Sequence, residues 1–169
     1  MLTVVEGAVP AEALGRLATS THPFDRWQVQ QIADQTGHDF AEDGEGERFF
    51  IGFSLHATGP TATAGTFAMS GKFEDSGSST ANPSVTPTGD PSRGQLAGDQ
   101  QFVGQKGTPF THFEGVAFPN NSPHAVGEGR FRILSGTGAY AGLRGGGSFL
   151  VVVDAPNQFI GTEVGTVEN

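Results

Sequence analysis

The sequence predicts an all-β protein, either a closed barrel or a sandwich, formed as a single domain over residues 1–169. Short segments of alternating apolar and polar residues recur along the chain, separated by turn residues at intervals of roughly eight to twelve positions. The composition agrees, because 26 glycines and 10 prolines supply many turns and 14 phenylalanines supply the bulk of an apolar core. No segment has the period of a long helix, and a closed barrel would leave no exposed sheet edge.

Composition also excludes several classes of function. The formal charge of −9, without any cluster of basic residues, would repel a phosphate backbone, so we expect no nucleic-acid partner. The absence of cysteine rules out disulfides and thiolate metal sites. No basic leader precedes an apolar segment and no apolar run reaches membrane-spanning length, which predicts a cytoplasmic protein with no membrane partner.

The first strands are predicted in the N-terminal half. Residues 1–24 are weakly patterned and are predicted to be irregular, whereas 25–34 fits a bulged strand or a short helix, of which we favour the strand. Residues 48–58 alternate regularly and predict a strand. Residues 61–73 follow after Gly59-Pro60, also in period two, so the two segments predict an antiparallel hairpin.

Residues 74–100 contain few large apolar side chains and many serines, threonines, glycines and prolines. This composition predicts a long surface loop, with one edge strand as a further possibility. Long loops in compact domains serve as lids or interaction elements, and disorder without a function fits the same composition.

The C-terminal half predicts the remaining strands. Residues 100–108 and 109–118 form one pair, 124–134 follows a turn, and 147–155 and 158–168 close the chain. The total is seven to nine strands.

The segment SGTGAYAGLRGGGSF, residues 135–149, superficially fits a dinucleotide-binding loop. Such a loop must open a helix, but each of the three consecutive glycines at 145–147 would cost about 1 kcal/mol in a helix interior. The segment is better explained as a connection between strands, in which glycines adopt positive φ angles. We expect Tyr140 and Leu143 to pack over the end of the barrel.

The stretch RILSGTGAYAGLRGGGSF also resembles the glycine-rich hairpin of the allene oxide cyclase and dirigent-like barrels, through Gly136 to Gly142. TFAMSGKFEDSG, residues 66–77, is similar to a strand pair of bacterial members, so the resemblance covers roughly residues 45–165. It implies an eight-stranded antiparallel β-barrel, commonly a homo-oligomer such as a dimer or trimer, that holds one apolar small molecule without a cofactor and steers a cyclisation, isomerisation or coupling. Eight strands leave room for about one such ligand.

The chain departs from the plant families of this group. It lacks a recognisable plant catalytic set, and it carries an acidic segment at 36–48 and the long segment 74–100. Plant substrates are therefore not transferred to it.

The strand PFTHFEGVAF, residues 109–118, offers candidate catalytic residues. If the face bearing His112 and Glu114 lines a cavity, desolvation would shift the pKa values of both residues and make them an acid–base pair. If that face meets solvent or an oligomer interface, they are polar surface residues without a catalytic role. The face carries Phe110, His112, Glu114, Val116 and Phe118, and the opposite face, with Thr111, Phe113, Gly115 and Ala117, is also a plausible inward face. The residues predicted to contact a substrate are Trp27, Phe53, Phe67, Met69, Phe110, Phe118 and Tyr140.

Other polar residues favour structural roles. Three charges at alternate positions of HAVGEGRFRIL, Glu128, Arg130 and Arg132, are typical of a solvated face. None of the five histidines has a spacing that places two ligands on one metal ion, and no serine-hydrolase elbow occurs, so we predict neither a metal nor a cofactor.

Two hypotheses of function follow. The first is a cofactor-free cyclase or isomerase of natural-product biosynthesis, acting on an apolar polyketide-, polyene- or fatty-acid-derived intermediate by enforcing a reactive conformer. The second is a non-catalytic barrel that binds or sequesters a similar molecule, or an oligomeric protein with a filled interior. The observation that separates them is whether an open cavity reaches His112 and Glu114.

Overall fold

A computed structural model describes residues 46–119, 125–154 and 157–168, and these residues form one antiparallel β-sheet. Within these ranges the one helical element is a short 3₁₀ turn at Gly138–Tyr140. The nine strands are β1 Glu47–Ala57, β2 Thr63–Gly71, β3 Asp75–Ala81, β4 Ser84–Pro87, β5 Gly94–Gly104, β6 Pro109–Phe118, β7 Ala125–Gly136, β8 Arg144–Asp154 and β9 Gln158–Glu168.

Eight of these strands close into a barrel, and β4 lies outside it. Neighbouring strands pair in the order β3-β2-β1-β9-β8-β7-β6-β5, and β3 then pairs with β5, as in the register Ser79 to Phe102, to complete the circle. The predicted all-β, eight-stranded antiparallel barrel is therefore confirmed. Closure pairs the central part of every barrel strand on both sides, and β4 has a described partner strand, β5, on one side.

The prediction of a long loop over residues 74–100 is wrong, because this segment contains β3, β4 and the first half of β5. Ala81 pairs with Gln100 and Ser84 with Ala97, so β4 continues β3 in the same register along β5. The two strands are separated at Pro83, which has no N–H to donate to the ladder. The edge strand β4 is exposed along its whole length, and small polar side chains suit such a strand. These side chains are also typical of loops, and this is why the composition predicted a loop.

The barrel interior is packed with aromatic side chains contributed by alternate positions of each strand. Phe67 contacts Phe102 with ring centroids 5.2 Å apart, and Phe113 contacts Phe149 at 5.6 Å, both with the edge of one ring against the face of the other. The buried phenylalanines of the core are Phe49, Phe53, Phe67, Phe102, Phe113, Phe131 and Phe149. An eight-stranded barrel of this kind is filled mainly by its own side chains.

The glycine-rich segment closes one end of the barrel, and residues 137–143 are called the plug below. Tyr140 is 1% exposed, and its hydroxyl donates a hydrogen bond of 2.7 Å to Oδ2 of Asp75 at the start of β3. Gly138 and Gly142 have φ angles of +59° and +76°, which confirms that glycine serves here to turn the chain. Leu143 is buried with Tyr140, as predicted.

Several predictions fall outside the described residues. They concern the irregular segment 1–24, the strand or helix at 25–34, and Trp27 as a substrate contact. Across 46–119, 125–154 and 157–168, no helix has the length and apolar character needed to cross a membrane.

Candidate functional site

The structure decides between the two faces of β6 that the sequence left open. Phe113 and Ala117 point into the core, so the alternate positions His112 and Glu114 lie on the outer surface of the barrel. Phe110 and Phe118 share that outer face and do not belong to the interior core, and their contact with a substrate stays a prediction. The cause is that both faces of this strand carry apolar residues, Phe113 and Ala117 on one and Phe110, Val116 and Phe118 on the other, so alternation alone does not determine which face is buried.

His112 and Glu114 instead lie in an open groove of about 440 Å³ on the outside of the barrel, together with Arg130 and Arg132 and above the glycines 145–147. Nδ1 of His112 is 2.7 Å from Oδ1 of Asp99 on β5. Glu114, Arg130 and Arg132 are exposed, which confirms the solvated face of β7 at the two arginines, whereas Glu128 is half-buried and Val126 on the same face is buried. Water screens charges at such a surface, so the groove lacks the desolvation that the acid–base hypothesis required.

A different carboxyl group, that of Glu163 on β9, lies inside the barrel. Both faces of β9 are buried, so the cross-strand register decides its direction. Glu163 is directly opposite Ile51 of β1 and Phe149 of β8, and both of these side chains belong to the interior core. Glu163 is 1% exposed, and its Oε2 atom has no hydrogen-bond partner among the residues that the structure describes.

Burial raises the pKa of Glu163 to about 8. The physical cause is desolvation, because an ionised carboxylate loses its hydration inside an apolar core. The carboxyl is therefore mostly protonated at neutral pH and can donate a hydrogen bond or a proton. An unsatisfied buried polar group is destabilising, and such groups with perturbed pKa values are concentrated at functional sites.

Glu163 lines a small interior cavity of about 40 Å³. Since one water molecule occupies about 30 Å³ of liquid, the cavity has room for roughly one polar group of a ligand. The cavity is lined by Phe53, Leu55, Thr63, Ala81, Pro83, Gln100, Phe113, Phe149, Val151, Phe159 and Glu163. Of the residues predicted to contact a substrate, Phe53 is in this lining.

The other polar side chains of the cavity are held by the barrel wall. The hydroxyl of Thr63 donates to the carbonyl oxygen of Ala81 at 3.1 Å. Nε2 of Gln100 donates to Oγ of Ser79 at 3.0 Å. Thr63 and Gln100 each have a hydrogen-bond partner, and among the described residues the buried side-chain atom without one is Oε2 of Glu163.

The two ends of the barrel differ in how they are closed. Phe67 and Met69 belong to the interior core but do not line this cavity, and Tyr140 belongs to the plug at the opposite end. The cavity end is formed in part by Ala81, Val151 and Phe159, which are only partly buried. These three residues are called the mouth below.

Sequence reasoning missed Glu163, although a signal was present. In QFIGTEVGTVE, Glu163 shares its alternation with Phe159 and Gly161, so one acidic residue occurs on a face that is otherwise apolar or small. The opposite face of the strand, with Ile160, Thr162 and Val164, carries apolar residues as well, so the sequence did not show that the face with Glu163 points into the core.

The described residues contain no group of three or more His, Asp or Glu side chains arranged to hold a metal ion. Comparison of the chain with protein-family models, with curated proteins and with solved structures gave no match.

Proposed function

We propose that the barrel binds one apolar small molecule through the mouth and isomerises or cyclises it without a cofactor, with Glu163 as the proton donor and acceptor. The observation that carries the proposal is a fully buried carboxyl group, with an unpartnered oxygen, on the wall of an interior cavity. The acid–base role foreseen for His112 and Glu114 is thereby assigned to Glu163.

A carboxyl group with a pKa of about 8 suits this chemistry. At neutral pH most molecules carry the proton that a polarised oxygen or carbon would receive, and a minority are ionised and can accept one. General acid–base catalysis is most effective when the catalytic pKa lies near the working pH. Confinement in the barrel would also accelerate the cyclisation of a flexible substrate, because holding the reactive groups close together lowers the entropic part of the activation barrier.

The size of the cavity limits how a ligand could enter. A volume of about 40 Å³ accommodates the polar end of a ligand, so its apolar remainder would have to displace Phe159 and other side chains at the mouth. The aromatic walls at Phe53, Phe113 and Phe149 would then contact the ligand.

The dense interior packing favours a second candidate function, the non-catalytic binding or sequestration of a similar molecule. A binding barrel needs no proton transfer, and Glu163 would then only orient the ligand. The resemblance to allene oxide cyclase and dirigent-like barrels supports the catalytic proposal. The homo-oligomer and the cytoplasmic location stay predictions.

The test is incubation of the purified protein with a panel of apolar polyketide-, polyene- and fatty-acid-derived intermediates, followed by thermal stabilisation and by chromatography for isomers of unchanged mass. Glu163→Gln is the test variant. Glu114→Gln is the matched control, because it makes the same chemical change on the exposed outer face.

We expect a new isomer with the wild type and with Glu114→Gln, and stabilisation without a new isomer with Glu163→Gln. Stabilisation without a product in all three proteins supports the binding barrel instead. Loss of turnover in Glu114→Gln alone would return the chemistry to the outer groove and overturn the proposal.

A further inference from the structure

We propose that the interior cavity selects an uncharged ligand that presents a carbonyl or ester oxygen to Glu163, and that it rejects the free carboxylic acid of the same skeleton. This inference rests on the proposed function, because it names the class of molecule that the barrel takes. It narrows the panel above by excluding free fatty acids as ligands.

The first support is the absence of a cation in the cavity wall. No lysine, arginine or histidine is among the described residues that line it, and its polar members are Thr63, Gln100 and Glu163. A carboxylate that entered would lose its hydration without gaining a counterion, and this is unfavourable in an apolar interior. Any ionised fraction of Glu163 would add repulsion between like charges.

The second support is the hydrogen-bonding state of the cavity. Thr63 and Gln100 already donate to the barrel wall, to the carbonyl oxygen of Ala81 and to Oγ of Ser79. Gln100 uses one of its two amide N–H groups in this way, whereas Oε2 of Glu163 has no hydrogen-bond partner among the described residues. Protonated at this oxygen, Glu163 offers a donor that matches an acceptor such as a ketone, ester or lactone oxygen. A pure hydrocarbon would leave the carboxyl unpaired and lose this interaction.

The expected difference in affinity between a ketone and a carboxylic acid follows from protonation, because the acid must take up a proton before it can enter the cavity as a neutral molecule. A carboxylic acid with a pKa near 4.3, the ordinary value for glutamate, is protonated in about one molecule in 500 at pH 7. We therefore expect such an acid to bind about 500-fold more weakly than the ketone of equal length at pH 7, and to recover most of that affinity at pH 5.

The experiment measures the Kd of 2-tridecanone, dodecanoate and tridecane at pH 5 and pH 7, by displacement of a fluorescent apolar probe. The expected order of affinity at pH 7 is ketone, then hydrocarbon, then dodecanoate. Lowering the pH to 5 should strengthen the binding of dodecanoate and leave the Kd values of the other two ligands unchanged. Equal binding of dodecanoate and ketone at pH 7 would overturn the inference while leaving the barrel as a binding protein. If none of the three displaces the probe, interior binding itself is refuted, and the proposed function fails with it.

Two variants locate the discrimination at Glu163. Glu163→Leu replaces the buried carboxyl with an apolar side chain and should abolish the preference for ketone over hydrocarbon. Glu163→Gln retains an N–H donor and should preserve that preference. An unchanged preference in Glu163→Leu would mean that another group contacts the ligand oxygen, and the assignment would be wrong.

Discussion

Replacement of Glu163 by glutamine should change how the stability of the protein depends on pH. In the unfolded chain this carboxyl titrates near 4.5, whereas in the folded barrel burial raises its pKa to about 8. Between these two values the folded state binds a proton that the unfolded state has released. Folding therefore takes up a proton, and the stability of the barrel falls as pH rises through this window.

The magnitude follows from the shift. Each pH unit inside the window lowers the free energy of unfolding by about 1.4 kcal/mol, and a window of about 3.5 units gives a total near 5 kcal/mol. The contribution is constant below pH 4.5, where the group is protonated in both states, and constant again above pH 8, where it is ionised in both. Because effective solvation of buried sites reduces such shifts, about 5 kcal/mol is an upper value.

The assay is urea unfolding at pH 5, 6, 7 and 8, followed by far-ultraviolet circular dichroism, for the wild type, Glu163→Gln and Glu114→Gln. Glutamine does not titrate, so the stability of Glu163→Gln relative to wild type should rise steadily with pH and be greatest at pH 8. A buried amide can itself cost 1–3 kcal/mol, but that offset is independent of pH and leaves the slope intact. Parallel curves for Glu163→Gln and wild type would refute the reasoning, and so would an equal slope in the exposed control Glu114→Gln.

Other predictions concern the plug and the outer face. Although partial desolvation acts in the opposite direction, hydrogen bonds from Tyr140 and from three backbone amides hold the pKa of Asp75 below its ordinary value. Tyr140→Phe should therefore lower the free energy of unfolding by about 1–2 kcal/mol at pH 7, measured by urea unfolding. This loss is fully present above pH 3.8 and should become smaller as acid protonates Asp75. A loss that does not change with pH would contradict the role of the Asp75 carboxylate. Gly138→Ala should lower the free energy of unfolding more than Gly142→Ala, because both residues have positive φ but, of the two, only the new Cβ at position 138 would clash with the backbone oxygen of Lys106. We expect a loss of about 1–2 kcal/mol at 142 and more at 138, measured by urea unfolding, and equal losses would refute the steric argument. His112→Ala should leave probe binding inside the barrel unchanged, since this side chain lies on the outer face, and a loss of affinity would place the ligand in the outer groove.

The sequence by itself determined the all-β class and most of the strand positions. Alternation over 109–118 and 158–168 coincides with the bounds of β6 and β9, because strands of a barrel bury alternate side chains and the period of two is a local property. The role of the plug was also local, since Gly138 and Gly142 occupy backbone conformations that other residues adopt only with strain.

Tertiary structure decided which face of each strand is buried, and this fixed the candidate site. The alternation in β6 was compatible with either face, and only pairing with β5 and β7 placed Phe113 inside the barrel and His112 outside. Burial depends on the neighbours that a residue meets across the sheet, and these are distant in sequence. For the same reason Glu163 became conspicuous only when the closed barrel surrounded its carboxyl with core residues and left one oxygen without a hydrogen bond.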